Sequence, residues 1–314
     1  MKLLFDEDLV ESAVLLCVGG KWPGIPPAQI RRFHAERECV YRVADPDARN
    51  AAFYRVHLEW FREWGLEDIL ASATPHFPQL AAALDSLALR KARNKAEEGA
   101  ELYVNPEGAR TGIVTLRPER FMPSNAPVHP LLPYLHHELS HVSDMVDPSF
   151  GYTPEIRDVA LNGSPQRLLR ERYRILWDGT IDGRLMQRGL ATVASREFRQ
   201  SEFTRAFSFF SAEQLHATFE QLWSNSAPRH DELMALAMDP RGLRAIHRSV
   251  PGATCPVCGF SSFSWADADA LEERVRDLIL GQSPDWTPEQ GVCARCVEVL
   301  QAVASTSVPA TVCL

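Results

Sequence analysis

His137, Glu138 and His141 stand in the run LLPYLHHELSHVSDMVDP, residues 131–148. On a helix, residues four apart share a face, so the two imidazoles can meet one cation. Glu138 projects toward the adjoining edge, where a carboxylate can take a proton from water held at that cation. The spacing thus supplies two nitrogen ligands and a base for metal-assisted hydrolysis. A random chain of this composition would carry the pattern roughly once in forty trials. His136 lies about a hundred degrees around the helix from His137 and is not expected to be a ligand.

The motif HELSH resembles the active-site helix of the zincin metallopeptidases. The resemblance implies a catalytic zinc, hydrolysis of peptide bonds and an α+β fold with a substrate-lining edge strand. GIVTL, residues 112–116, would be that strand. Two histidines and a carboxylate also suit iron or manganese.

A catalytic zinc needs a third protein ligand, and two routes are open. In the metzincin-like pattern the ligand follows the second His by six residues, which is Asp147, with Asp144 where that pattern has Gly. In the gluzincin-like pattern a later helix supplies an acid, with another four residues on. WDGTIDGRL places Asp178 and Asp182 at that spacing, with Asp where thermolysin-like enzymes have Glu at the ligand. Asp178 would bind metal, and Asp182 would accept an imidazole N–H and fix its tautomer. Gly179 would let a neighbouring backbone approach. Asp178 is preferred because it shares a helical stripe with Leu168, Glu171, Ile175, Asp182 and Leu185. Buried acids on such a stripe are costly unless paired or metal-bound. The plainer alternative is a salt-bridge network with Arg170, Arg172, Arg174 and Arg184. Asp144 could equally orient the zinc histidines. Tyr152, Tyr173, Arg157 and His129 are candidates to stabilise a developing oxyanion.

Cys255 and Cys258 form one Cys-x-x-Cys pair, and Cys293 and Cys296 another, with 34 residues between the pairs. Two such turns complete a tetrahedral thiolate site. A structural zinc is expected there, with the intervening DADALEERVRDLIL as an inserted helix. A redox role is the alternative. Cys17 and Cys39 read as small buried apolar side chains, and nothing nearby activates Cys313.

These residues need elements to position them. Residues 1–22 read as a short helix ending at Gly19-Gly20, and residues 28–100 as several helices. The aromatic stripe of NAAFYRVHLEWFREWGLEDIL reads as core, with His57 packed in it. ELYV and GIVTL read as a hairpin or neighbouring strands. A proline-rich stretch then precedes the motif helix, in which Pro133 suits the first turn and Pro148 closes the end. A second helix spans about 165–189, and more helices fill 195–248. SVPGATCP marks a boundary. The expectation is a helix-rich α+β zincin-like domain over 1–250 (its N-terminal helical part about 1–100), then a zinc-ribbon or treble-clef-like domain with four cysteine ligands over 251–314.

At 314 residues the chain is long enough for two domains. Seven cysteines are an odd number for a disulfide framework. Acidic residues interrupt the first apolar run, which excludes a signal peptide on this reading, and no run is long enough for a membrane span. A cytoplasmic location follows as an expectation. The net charge is -8, and residues 251–314 carry eight acids against three arginines. A zincin followed by a ribbon resembles the SprT-like proteases, which act on DNA-bound protein, but counterion release needs clustered positive charge. No nucleic-acid partner and no membrane partner are therefore expected. Phe260, Phe263, Trp265 and Trp286 read as a small core.

The reading at this level is a zinc-dependent metallopeptidase with one catalytic and one structural Zn2+ and a protein or peptide substrate. A narrow-specificity protease acting on one partner would share the same residues. The ribbon could contact a protein partner. The alternative is a non-catalytic metal-binding adaptor that uses both modules for protein contact, although an adaptor has no need of Glu138.

Overall fold

The computed structural model describes residues 1–21, 24–123, 128–154, 164–240 and 251–306. The fold is helix-rich α+β. The chain divides into two compact units, Met1–Leu233 and Met234–Leu314.

The first unit opens with strand β1 (Lys2–Phe5) and helix α1 (Glu7–Leu16). Asp6 caps α1 through Asp8 N–H and also accepts from Lys91 N–H, which ties the helix start to the sheet. Helices α2 (Pro27–Val40), α3 (Pro46–Glu63), α4 (Leu66–Ala73) and α5 (Pro78–Ala83) follow. Trp60 and Phe61 of α3 are buried against Phe33 and Phe121, and His57 is packed between Phe33 and Phe53. The aromatic stripe is core, as its spacing required.

Strands β2 (Ser86–Lys91), β3 (Gly99–Val104) and β4 (Arg110–Leu116) complete a sheet of order β1-β2-β4-β3. β1, β2 and β4 run parallel, and β3 pairs antiparallel with β4, Glu101 opposite Ile113. Two expectations change here. The N-terminus is a strand before it is a helix: KLLF pairs in parallel with β2. GIVTL lies inside the sheet within β4; the strands at the sheet's two edges are β1 and β3.

Helix α6 (Leu131–Val146) carries the motif across the sheet. Its apolar positions Leu135 and Leu139 meet Leu87, Leu89 and Val114. Gly112 of β4 permits this approach: a Cβ there would lie 3.0 Å from Val142. With that face on the sheet, the helical period turns His137 and His141 to the other side.

Helix α7 (Ser164–Gln187) crosses behind α6, followed by α8 (Arg196–Ala206), α9 (Ala212–Ser224) and α10 (His230–Met238). On the expected stripe of α7, burial starts at Ile175; Leu168 and Glu171 are exposed, so only its second half is buried. A Cβ at Gly183 would lie 2.2 Å from the Trp223 carbonyl oxygen, so α9 packs there on bare backbone. Gly179 touches the Leu222 side chain instead.

In the second unit β5 (Trp265–Ala266) pairs antiparallel with β6 (Val292–Cys293). Helix α11 (Glu273–Gln282) is the inserted helix, and α12 (Ala294–Thr306) starts between the last two cysteines of the doubled pair. Val275, Ile279, Trp286, Val292 and Leu300 form its core. Phe260 and Phe263 do not join it: they are 74% and 77% exposed on the loop after Cys258. No helix among the described residues is long and apolar enough to cross a membrane.

Candidate metal centre

α6 and α7 bring His137, His141 and Asp178 together. Asp178 Oδ1 lies 3.6 Å from His137 Nε2 and 3.3 Å from His141 Nε2. A tetrahedral ion with ligand bonds of about 2.1 Å has donor-to-donor edges of roughly 3.4 Å, close to both of these separations, and all three donors lie within 4.8 Å of one another. The other oxygen of Asp178 is held by Arg174 Nη1 at 2.8 Å and Arg199 Nη1 at 3.1 Å. Oδ1 is thereby left facing the imidazoles.

Asp182, one turn on and fully buried, accepts from His137 Nδ1 at 2.9 Å and from Arg199 Nε at 2.6 Å. In the neutral form that a metal ligand must take, this contact keeps the proton on Nδ1 and turns Nε2 toward the cluster; without a metal both nitrogens face carboxylates, Asp182 and Asp178. Burial alone would lower the His137 pKa, but hydrogen bonds to Asp178 and Asp182 outweigh it and raise it to about 10. Burial would likewise raise Asp178, but both histidines hold it well below the usual carboxylate range.

Glu138 is buried, and loss of solvation raises its pKa against the opposing pull of His141 and His137. It lines a cavity of about 820 Å³ together with His137, His141 and Asp178. The start of β3, Gly99 and Ala100, forms part of the same wall. No described strand pairs with the outer edge of β3.

Other candidates fall elsewhere. Asp147 ends α6 and accepts from the amide and hydroxyl of Ser149, away from the cluster. Asp144 touches no histidine ring. It accepts from Trp177 Nε1 at 2.7 Å and takes a two-pronged contact from Arg184. Trp177 in turn packs edge-on against His141, ring centres 4.4 Å apart, so the indole links Asp144 to that ring. His136 points away from the cluster, against His76 and Phe77. Among the oxyanion candidates, Tyr173 lines the cavity, with its hydroxyl 2.6 Å from His230 Nδ1. His129 instead contacts the Phe121 carbonyl, and Tyr152 packs on Trp177. Arg157 lies outside the described residues.

Sequence reasoning missed Arg199, Glu202 and Trp177. The arginine network weighed against metal binding is present only in part among the described contacts, beside the three-donor cluster. Arg174 pairs with Asp178, while Arg184 pairs with Asp144. The signal for Arg199 was faint: one of several arginines in a short polar helix, with nothing in its spacing to mark it.

In the second unit, Cys255, Cys258, Cys293 and Cys296 present sulfurs within 4.8 Å of one another. Cys258 and Cys293 sulfurs are 3.9 Å apart. The edge expected for Zn–S bonds of about 2.3 Å is roughly 3.8 Å. Amides of Cys293 and Cys296 point at the sulfurs of Cys255 and Cys293, at 3.4 Å each. Gly259 adopts φ 73°, which lets its amide return to Cys255 O at 2.8 Å and closes the first turn. Of the other cysteines, Cys17 is buried, its thiol pushed up to about 12 by burial, whereas Cys39 is exposed, contrary to expectation. Cys313 lies outside the described residues.

No family model, no curated protein and no solved structure matches this chain. The two clusters therefore stand on their own geometry. Both could hold metal ions, and one of them lies in an open cavity beside a buried carboxylate.

Proposed function

We propose that the chain is a zincin-like, zinc-dependent metallopeptidase that hydrolyses peptide bonds, with His137, His141 and Asp178 as ligands and Glu138 as general base. Cys255, Cys258, Cys293 and Cys296 hold a second, structural zinc in a ribbon or treble-clef-like module. The observation that carries the reading is the position of Glu138: a buried carboxylate in the same cavity as the three-donor cluster. The antiparallel edge strand β3 on the cavity wall adds to it, because an extended peptide can pair with an open edge.

A divalent ion in the cluster supplies Lewis acidity toward the scissile carbonyl and toward water. The chain's own residues do the rest. Glu138 takes the proton of the attacking water and delivers it to the leaving amine. Its depleted solvation raises its basicity, which favours the first transfer. Asp182 and Arg199 keep His137 oriented, and Trp177 keeps His141 in place. Tyr173 offers a hydroxyl to the carbonyl oxygen as charge develops.

The test is cleavage of a quenched-fluorescent peptide library by zinc-loaded wild type and Glu138→Gln. Wild type should cleave, and the variant should lose about 10²- to 10⁴-fold with its zinc content unchanged. Equal rates in the two proteins, or no cleavage by fully loaded wild type, would remove Glu138 as the base and the peptidase reading with it.

A further inference from the structure

The first unit holds a second cavity, of about 190 Å³, that shares no lining residue with the metal cavity. It lies where α5, α6, the last turn of α7 and the chain just after α9 meet. Its walls include Gln79, Ser143, Arg184, Gln187, Arg188 and Ser226. No aspartate or glutamate is among the lining residues, although the chain carries a net charge of -8.

Both arginines are held in place with donors to spare. Buried Asp144 grips Arg184 from behind through Nη1 and Nη2, and Arg184 Nε reaches the Thr180 carbonyl. Three of the five guanidinium N–H groups are thus used, and two are left. Arg188 lies over Phe77, 5.2 Å from the ring centre, and gives one Nη2 proton to the His76 carbonyl. Its Nε and Nη1 bond to none of the described residues. Ser143 accepts from Gln79 Nε2 at 2.6 Å and keeps its own proton to donate. The Ser226 hydroxyl bonds to none of the described residues.

Basic residues in the last turn of a helix usually answer its free carbonyls. At the end of α7, backbone amides take that role. The Arg184 carbonyl accepts from the Arg188 amide, and the Leu185 carbonyl from the amides of Arg188 and Leu190. The spare side-chain donors are therefore available to a ligand. With Asp144 offsetting one arginine, the cavity offers one net positive charge and donors from several sides. A tetrahedral oxyanion can use donors arranged in this way, whereas a carboxylate has only two oxygens in one plane. We propose that this cavity binds a phosphate group, free or as a small monoester. Arg184 and Arg188 are its charged donors, and Ser143 and Ser226 supply hydroxyls.

The experiment titrates the full-length zinc-loaded protein by calorimetry with inorganic phosphate, glycerol phosphate and acetate. Excess acetohydroxamate is present to keep the phosphates off the metal cluster. One phosphate compound per chain should bind, about 10-fold or more tighter than acetate. Arg188→Gln removes a charged donor and should weaken both phosphate compounds about 10- to 100-fold. Ser226 is exposed, so Ser226→Ala tests the site without touching the core, and it should weaken them about 2- to 10-fold. Zinc content and unfolding temperature in phosphate-free buffer should be unchanged in both variants. Tighter binding of glycerol phosphate would assign the site to monoesters, and tighter binding of inorganic phosphate to the free ion; either supports it. No binding of either compound at millimolar concentration, acetate binding as tightly as phosphate, or affinities that both substitutions leave unchanged would overturn the site.

Discussion

Oδ1 of Asp182 lies 2.9 Å from Nδ1 of His137, and that contact decides which nitrogen of the ring faces the cluster. Partners of this kind usually alter metal affinity 10- to 100-fold when removed. Asp182→Asn should weaken zinc binding by about that factor, measured by competition with a chromophoric chelator. Asp147→Asn should leave it unchanged. The reverse order would restore the ligand route through the end of α6.

Arg199 spans both acids of α7, reaching Asp182 through Nε at 2.6 Å and Asp178 through Nη1 at 3.1 Å. Removing one partner of a buried ion pair leaves an uncompensated charge, at a cost of about 3–5 kcal/mol. Arg199→Met should lower the unfolding free energy of chelator-treated protein by that amount in urea denaturation. Arg174→Met should cost under about 1 kcal/mol, because the Arg174 side chain is half-exposed. Similar losses for the two variants would show that Arg199 is no more than a surface partner.

Gly183 and Gly281 make a matched pair. A methyl at Gly183 meets the Trp223 carbonyl oxygen at 2.2 Å, whereas one at Gly281 meets nothing within 4 Å. Gly183→Ala should destabilise by about 2–3 kcal/mol or more as α9 is forced outward. Gly281→Ala, inside α11, should stabilise by about 0.5–1 kcal/mol. Differential scanning calorimetry reads both, and opposite signs are the expected result.

The thiolate cluster predicts a stoichiometry. Wild type should carry two zinc ions per chain, and Cys255→Ser with Cys258→Ser should carry one, as should His137→Ala with His141→Ala. The cysteine variant alone should lose the cooperative unfolding of the second unit, because metal binding contributes folding free energy to so small a module. Elemental analysis and thermal scans check the two statements, and an unchanged count in either variant would disprove its site.

Glu98 sets an acid dependence. Burial pushes its carboxyl up, but hydrogen bonds from Arg120 and the Arg117 amide outweigh that and hold it below the ordinary glutamate value. A lowered folded pKa contributes stability above the unfolded value, about 4.3, and that stability is lost as pH falls through the folded value. The stability gap between wild type and Glu98→Gln should therefore be full at about pH 6 and shrink steadily below about pH 4.3. A gap independent of pH would mean that the ion pair is not its source.

The metal cluster was legible because its parts obey short-range geometry. His137 and His141 are one helical turn apart, as are Asp178 and Asp182, and each pair announces a shared face. The cysteine pairs announce themselves by the same kind of local spacing. Arg199 was not legible because it reaches the acids across a turn between two helices, and no sequence interval encodes that. β1 and β2 were missed for a related reason. The exposed face of β1 carries apolar Leu4, so KLLF lacks the polar–apolar alternation that marks a half-exposed strand, and it runs directly into helix α1; β2 is only six residues long. Phe260 and Phe263 were misread because composition alone cannot distinguish an aromatic that fills a core from one left on a short loop beside a cysteine pair.

The open side of β3 has a cost in the test tube. Backbone groups along an unpaired strand do not discriminate between a foreign peptide and a strand of another copy of the same chain. Tyr103 and Val104, at the far end of β3, are also exposed and would add sticky surface to such a pairing. Concentrated stocks should therefore self-associate through this rim, and a saturating peptide should keep them dispersed. On the peptidase reading, the molecule's shelf life and its capacity to receive an extended chain would rest on the same few amides.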